Sequence, residues 1–355
     1  MTELYTASNE LFKRPDDECF PTMEALYQHV LDRSFKDMEL AINVKEDAQF
    51  IKSDDTLGLN LKGYPVDLSQ FSAEQFCADL KIPFNYVNGL PQDIALENFN
   101  HGLKTFSRDE ESIILMNSGE GNPIIRAVTS ERYARIYDHE VVKRLMDLPD
   151  NWNIAPTWEG DDKGLYAGDR DMFVFLIDGG SYVTDGFGDK GIHRGFFVRN
   201  SEVRASSLEI TTFLHRGVCG NHIVWGAENV IEKRIRHVGD ALEQFQEAMA
   251  DLHRFTQSSG KEEEEKIRVV MNTKLGNDKD ETVEAVRKMF RNTVIGKKDL
   301  ERSWDLADQF EELPNMAWGM AQGITRLSQE KYPNHQNKRS QLDRVSGRIL
   351  DKVLS

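Results

Sequence analysis

The sequence predicts an α+β protein with a mixed, largely antiparallel central sheet, a helical N-terminal unit and a helical C-terminal third. Three observations predict it. Short apolar, strand-like runs bounded by turn residues crowd between residues 111 and 227, whereas apolar residues recur at helical spacing after 228. No apolar run approaches the roughly 18 residues needed to cross a bilayer. At 355 residues, 39% hydrophobic and 29% charged, the chain can bury a full core and hold more than one unit. The boundaries expected are 1–110 for a mainly helical, acidic unit, 111–227 for an α/β sheet core and 228–355 for a helical region.

In chain order, MTELYTASNELFKRPDDE places acidic and polar residues where a signal peptide needs a basic start and an apolar middle, so a cytoplasmic location is expected. LSQFSAEQFCADLKI sets Phe71, Phe76, Leu80 and Ile82 near helical spacing, with Ser72 as N-cap and Pro83 as stop. A second helix is expected after Pro91, carrying Ile94, Leu96, Phe99 and Leu103. ESIILMNSGEGNPIIRAV reads as a hairpin around NSGEGN, and SERYARIYDHEVVKRLMDL as a helix from near Ser130. DMFVFLIDG, GFFVRN, SLEITTFLH and VCGNHIVWG read as strands. Between the first two, the six glycines of GGSYVTDGFGDKGIHRG predict a mobile loop. Apolar residues from Val230 through Ile231, Ile235 and Val238 to Leu252 predict one long amphipathic helix, and shorter helices follow to the end.

Net charge is -16. Residues 1–120 hold most of it, with 10 basic against 22 acidic residues, while 121–237 are near balance at 15 against 17. Overall acidity opposes indiscriminate binding to polyanions but leaves room for a confined phosphate-binding groove. Cys19, Cys77 and Cys219 are odd in number and form no CxxC pair, which supports neither a disulfide framework nor a cysteine-based zinc site and fits a reducing compartment.

Several chemistries compete for the middle region. His215, Cys219 and His222 have H-x3-C-x2-H spacing, with His193 as a possible fourth metal ligand, but alternating strand faces do not assure convergence. Two polar histidines flanking a buried cysteine is the plainer reading, so no metal and no cofactor is expected. Cys219 could act as a nucleophile beside His215 or His222, yet a free cysteine usually behaves as a small buried hydrophobe. Asp169 with Asp171, and Asp161 with Asp162, read as loop solvation rather than an acid and base pair. No GxxxxGK[ST] loop is present, and no glycine-rich segment has the strand and helix context of a dinucleotide fingerprint.

Arginines interleaved with aromatic residues carry the stronger signal. IIRAVTSERYARIY and IHRGFFVRNSEVRASS bring Arg126, Arg132, Arg135, Arg194, Arg199 and Arg204 beside Tyr133, Tyr137, Phe196 and Phe197. Guanidinium groups grip phosphates in a bidentate way and aromatic faces stack on unpaired bases, the pair of functions that single-stranded nucleic acid requires. Arg126, Arg132, Arg194, Arg199, Arg204 and Arg216 are the phosphate candidates, Tyr133 and Phe197 the stacking candidates, and Asn200 and Asn221 candidates for hydrogen bonds to bases. The bland alternative is a period-two strand that buries one Phe and exposes Arg199, with the asparagines as turn formers.

Three segments together resemble the phage and plasmid-like proteins grouped under a domain of unknown function, a family carried by phages, plasmids and prophages. FSAEQFCADLKIPFNYVNGLP resembles its helix, turn and IPxxY segment, RAVTSERYARIYD its RAxxSxRYxxID-type segment, and NSEVRASSLEITTFLHRGVCGN its NS pair and strand ending in R-x-x-C-x-N. The likeness spans residues 65–240, with the C-terminal helices similar only in character. Its pattern falls on Arg126, Ala127, Ser130, Arg132, Tyr133 and Asp138, then on Asn200, Ser201, Arg216, Cys219 and Asn221, without assigned roles. The resemblance implies DNA metabolism in a mobile element, and the layout is reminiscent of phage single-strand annealing proteins. The expectation is a non-enzymatic protein that binds or anneals single-stranded DNA in the host cytoplasm as a homo-oligomer, with no membrane association. Two alternatives stay open. One is a metal-dependent or His/Cys enzyme acting on nucleotides or nucleic acid, with the 179–195 loop as lid. The other is an inhibitor that docks on a host defence or replication protein through its C-terminal helices.

Overall fold

Helix α1 (Met23–Lys36) begins where the Thr22 hydroxyl accepts a hydrogen bond from the Ala25 amide at 3.1 Å, and it buries Leu26 and Val30. The computed structural model describes residues 16–53, 56–105, 111–118, 121–154, 164–183, 192–216, 231–258, 261–290, 295–311, 313–332 and 336–355. After α1 the described residues build two six-stranded sheets and then a set of helices, an α+β fold.

The first sheet contains β1 (Asp37–Ile42), β2 (Ala48–Ser53), β3 (Thr56–Leu61), β4 (Tyr64–Leu68), β5 (Ser112–Asn117) and β6 (Ile124–Ser130). Its order is β1-β5-β6-β4-β3-β2, antiparallel throughout except for the parallel β4 and β6 pair. Two longer helices, Gln70–Leu80 and Gln92–Lys104, contribute to its core, where Phe50 packs on Phe99 at 4.5 Å and on Phe76 at 5.3 Å. Edge strand β2 is sealed by Asn100, whose side chain bonds both the Phe50 amide and the Phe50 carbonyl at 3.0 Å.

The second sheet contains β7 (Trp152–Ile154), β8 (Leu165–Ala167), β9 (Met172–Val183), β10 (Ile192–Asn200), β11 (Leu208–Arg216) and β12 (Glu232–Ile235). Its order is β12-β11-β10-β9-β7, with β8 paired to β9 off that path. Phe196, Val198 and Ile210 pack with Phe245, Met249 and Leu252 of the helix Ala241–Gln257, while Phe173, Phe175, Phe197 and Phe213 form a separate aromatic cluster. The helices that follow share a core around Trp318, Ile324 and Ile349, which also takes in Ile192 of β10.

Several expectations are corrected. Residues 37–68 supply four strands, and the boundary at 110 falls inside one sheet because β5 and β6 complete it. These strands are only five or six residues long, too short for a period-two pattern to stand out among polar turns. The helix expected from Ser130 starts instead at Asp138, and Ser130 ends β6. The long helix expected from Val230 is β12, then a turn with Gly239 at φ 64°, then a helix from Ala241. Ile231 and Ile235 are four apart, a spacing that one face of a strand shares with one face of a helix. The N-cap of the helix Gln70–Leu80 is Ser69, whose hydroxyl accepts the Ser72 amide at 3.1 Å. The glycine-rich segment is strand at both ends, with 184–191 outside the described residues, as is VCGNHIVWG.

Candidate functional site

Strand β10 ends at Asn200, and the following turn, Ser201 to Ala205, is where the two sheets meet. The turn is pinned from several sides. Ser201 Oγ donates to the Arg170 carbonyl at 2.6 Å and accepts the Ala205 amide at 3.0 Å. Tyr133 Oη donates to the Ser201 carbonyl at 2.8 Å and accepts the Arg204 amide at 3.2 Å. Gln75, from the helix against the first sheet, donates to the Val203 carbonyl at 2.7 Å and accepts the Val128 amide at 2.8 Å. So held, Arg204 adopts φ 69°, a left-handed conformation that costs a side chain with Cβ about 1 kcal/mol or more.

Glu202 points inward from this turn into a buried network of charge. Its carboxylate takes Arg126 Nη2 at 2.8 Å, Arg33 Nη2 at 3.2 Å and the Asp138 amide at 2.9 Å. Arg33 also reaches Asp138 at 2.6 Å, Arg126 pairs with Asp37 of β1, and Arg135 bridges Glu39 at 2.6 Å and the Glu202 carbonyl. Asn200 Nδ2 donates to Asp138 at 2.7 Å and to the Ile136 carbonyl at 2.8 Å. Burial pushes the Asp138 carboxyl up to about 7, helped by neighbouring Glu202 and opposed by Arg33. Burial acts the same way on Glu202 but is outweighed by Arg33 and Arg126, which hold it below the ordinary glutamate range. Tyr133 is driven to about 12 by burial, and His237, stacked on its ring at 5.1 Å, is driven down to about 4 for the same reason. Asp138 is 1% and Glu202 2% exposed, so the network is closed to a ligand and fastens helix α1 and the first sheet to the second.

On the outer side of the same turn lies an open cleft of about 440 Å³ lined by Phe71, Glu74, Gln75, Ala78, Arg170, Asp171, Arg199, Arg204 and Ala205. Arg199 is fixed by Asp171, with Nε at 2.9 Å and Nη2 at 2.6 Å from one carboxylate oxygen, and that carboxylate is 2% exposed. Arg170 meets Glu74 at 2.9 Å and lies 4.9 Å from the centre of the Phe71 ring. Arg204 meets Asp79 at 3.4 Å. The Arg170 and Arg204 side chains are 47% and 32% exposed, so three guanidinium groups converge on one solvent-open hollow.

The residues singled out in the sequence therefore separate. Arg199 and Arg204 enter the cleft. Arg126, Tyr133 and Asn200 belong to the joint behind it, and phosphate contact is reassigned away from Arg126 because two carboxylates hold it. Arg194 is buried elsewhere, between Asp178 at 2.7 Å and Ser258 at 2.7 Å, with Trp152 and Phe255 over its guanidinium. Phe197 is 1% exposed and stacks on Phe173 at 5.4 Å, which makes it core rather than a platform for bases. Arg132 is exposed beside the joint. The Arg216 backbone pairs with Ile192, its side chain lying outside the described residues, as does Asn221.

The metal and nucleophile candidates fall in the same shadow. Cys219, His222 and the His215 side chain lie outside the described residues, and His193 Nδ1 is 2.9 Å from the Asp178 carbonyl. Among the described residues no group of three or more His, Cys, Asp or Glu is placed to hold a metal ion. Asp171, expected as loop solvation, is instead the buried anchor of Arg199. Arg170 and Phe71 escaped notice, the first inside an acidic loop and the second counted only as helix core.

The two motifs that meet at the joint both lie inside a family match. The family described as Domain of unknown function (DUF932) matches residues 126–348. The chain belongs to this family. The DUF932 match starts at Arg126 on β6, takes in the C-terminal helices, and leaves out Arg33, Asp37, Phe71, Glu74 and Asp79. No curated protein and no solved structure matches the chain. Among its described residues no helix is long and apolar enough to cross a membrane.

Proposed function

We propose that this DUF932 protein binds single-stranded DNA, without chemistry on it, in the DNA metabolism of a phage, plasmid or other mobile element. It would act in the host cytoplasm as an oligomer. The observation that carries this reading is Arg204, held in a left-handed backbone so that its guanidinium opens onto the cleft beside Arg170 and Arg199. Glycine takes that conformation at little cost, so an arginine there argues for what its side chain does. Arg199 is pre-oriented by Asp171, Arg170 stands over Phe71 as a flat surface for a base, and the guanidinium groups supply phosphate contacts. The acidic remainder of the chain disfavours long duplexes, so binding is confined to this place.

Fluorescence polarisation with a single-stranded oligonucleotide tests the reading. Binding should weaken as salt rises, log K falling with log salt by about 0.7 for each phosphate engaged. Arg170→Ala should weaken binding by about tenfold, the loss of one charge-assisted contact of about 1.4 kcal/mol. Absence of binding at low salt would remove the proposal.

A further inference from the structure

We infer that the Arg170, Arg199 and Arg204 cleft takes a phosphomonoester, either the terminal phosphate of a single strand or a free nucleoside monophosphate, in preference to the internal phosphodiesters of a chain. This rests on the reading of the cleft as a phosphate site. Each guanidinium already faces a carboxylate: Glu74 on Arg170, Asp171 on Arg199 and Asp79 on Arg204. Asp171 is buried and stays with its arginine, whereas Glu74 is partly exposed beside the half-exposed Arg170 and the Arg204 to Asp79 contact is long at 3.4 Å, so these two pairs are the ones an anion can open.

An incoming anion therefore has to replace two carboxylates on two arginines. A phosphodiester brings one negative charge and cannot make good both losses. A phosphomonoester near neutral pH carries close to two charges on three acceptor oxygens, which matches the displaced pair and leaves an oxygen for the fixed Arg199. Volume agrees with a single unit rather than a run of chain. About 440 Å³ lies toward the lower end of small-molecule sites, roughly 300–1,000 Å³. The Arg170 and Phe71 pair stands beside the phosphate contacts and offers its face to the adjoining base.

The test is polarisation with an internally labelled oligothymidylate bearing a 5′ phosphate, a 3′ phosphate or hydroxyls at both ends, together with competition by thymidine monophosphate and by thymidine. A terminal phosphate should strengthen binding by about tenfold at pH near 7.5, and the gain should shrink by several-fold at pH near 5.5, below the second phosphate ionisation at about 6. Thymidine monophosphate should compete where thymidine does not. Arg204→Gly, which keeps the turn conformation, should abolish the difference between the ends.

Equal binding of phosphate-ended and hydroxyl-ended strands would overturn the end preference and leave single-strand binding standing. Binding of the monophosphate but of no strand would support the phosphomonoester site and overturn single-strand binding. Failure of strands and monophosphate alike would overturn both. A phosphate-end gain that survives unchanged in both Arg204→Gly and Arg170→Ala would place the site elsewhere and overturn this inference.

Discussion

Asp138 and Glu202 show what a single residue can reveal about the joint. They lie among three arginines, yet one is raised to about 7 and the other is held low, so the pair retains a proton into the neutral range. The signs follow from linkage. Asp138 binds its proton more tightly folded than unfolded, so its contribution favours folding below the ordinary aspartate range and is lost as pH rises through about 7. Glu202 works in the opposite sense, stabilising above the ordinary glutamate range and losing that contribution as pH falls through its lowered folded value. Asp138→Asn, which keeps an acceptor for Asn200, should flatten any decline of Tm between pH about 5 and 7.5, and an unchanged slope in thermal melts would contradict this assignment. Glu202→Gln removes a charge that two buried arginines share and should cost about 3–5 kcal/mol in denaturant unfolding. Arginine, tyrosine and asparagine in the two motifs were legible as unusual residues, but their inward direction was not. Whether the Arg126 guanidinium meets phosphate or carboxylate depends on Asp37 and Glu202, 89 and 76 residues away in sequence.

At the level of elements, the turn after β10 matters more than the strands beside it. Tyr133→Phe deletes the hydroxyl that joins the Ser201 carbonyl to the Arg204 amide and should cost about 1–3 kcal/mol, with weaker ligand binding as the turn loosens. Arg204→Gly should change stability by less than about 1 kcal/mol, because relief of the left-handed conformation offsets the greater freedom of glycine in the unfolded chain. Measured together by calorimetry and polarisation, the two variants separate holding the turn from touching the ligand. The helices 70–80 and 92–104 and the strand runs 172–179, 195–200 and 208–215 could be read because their apolar residues are dense or regularly spaced, whereas 180–183 and 192–194 read as loop for their glycines. The strands between 37 and 68 could not, since five or six residues with one buried face give only two or three core positions. Arg199 and Arg204, singled out in the sequence as phosphate candidates, do line the cleft. Arg170 and Phe71 could not be paired in the sequence, because their meeting is made by packing the helix 70–80 against the end of the second sheet.

For the whole molecule, two sheets with separate apolar cores share one charged seam, and the DUF932 match begins on the strand that carries Arg126 across it. Buried pairs are screened far less than surface ones, so salt should weaken ligand binding while leaving the seam largely intact. Glu202 and Arg204 are two residues apart, one locked inside and the other open to solvent. Anything that immobilises the outer guanidinium narrows the motions of the same short peptide that anchors the inner carboxylate. Occupancy and cohesion are then linked by mass action, and a ligand at a hundredfold excess over its Kd should add about 2.7 kcal/mol to resistance against unfolding. A clasp closed from outside would keep the halves together.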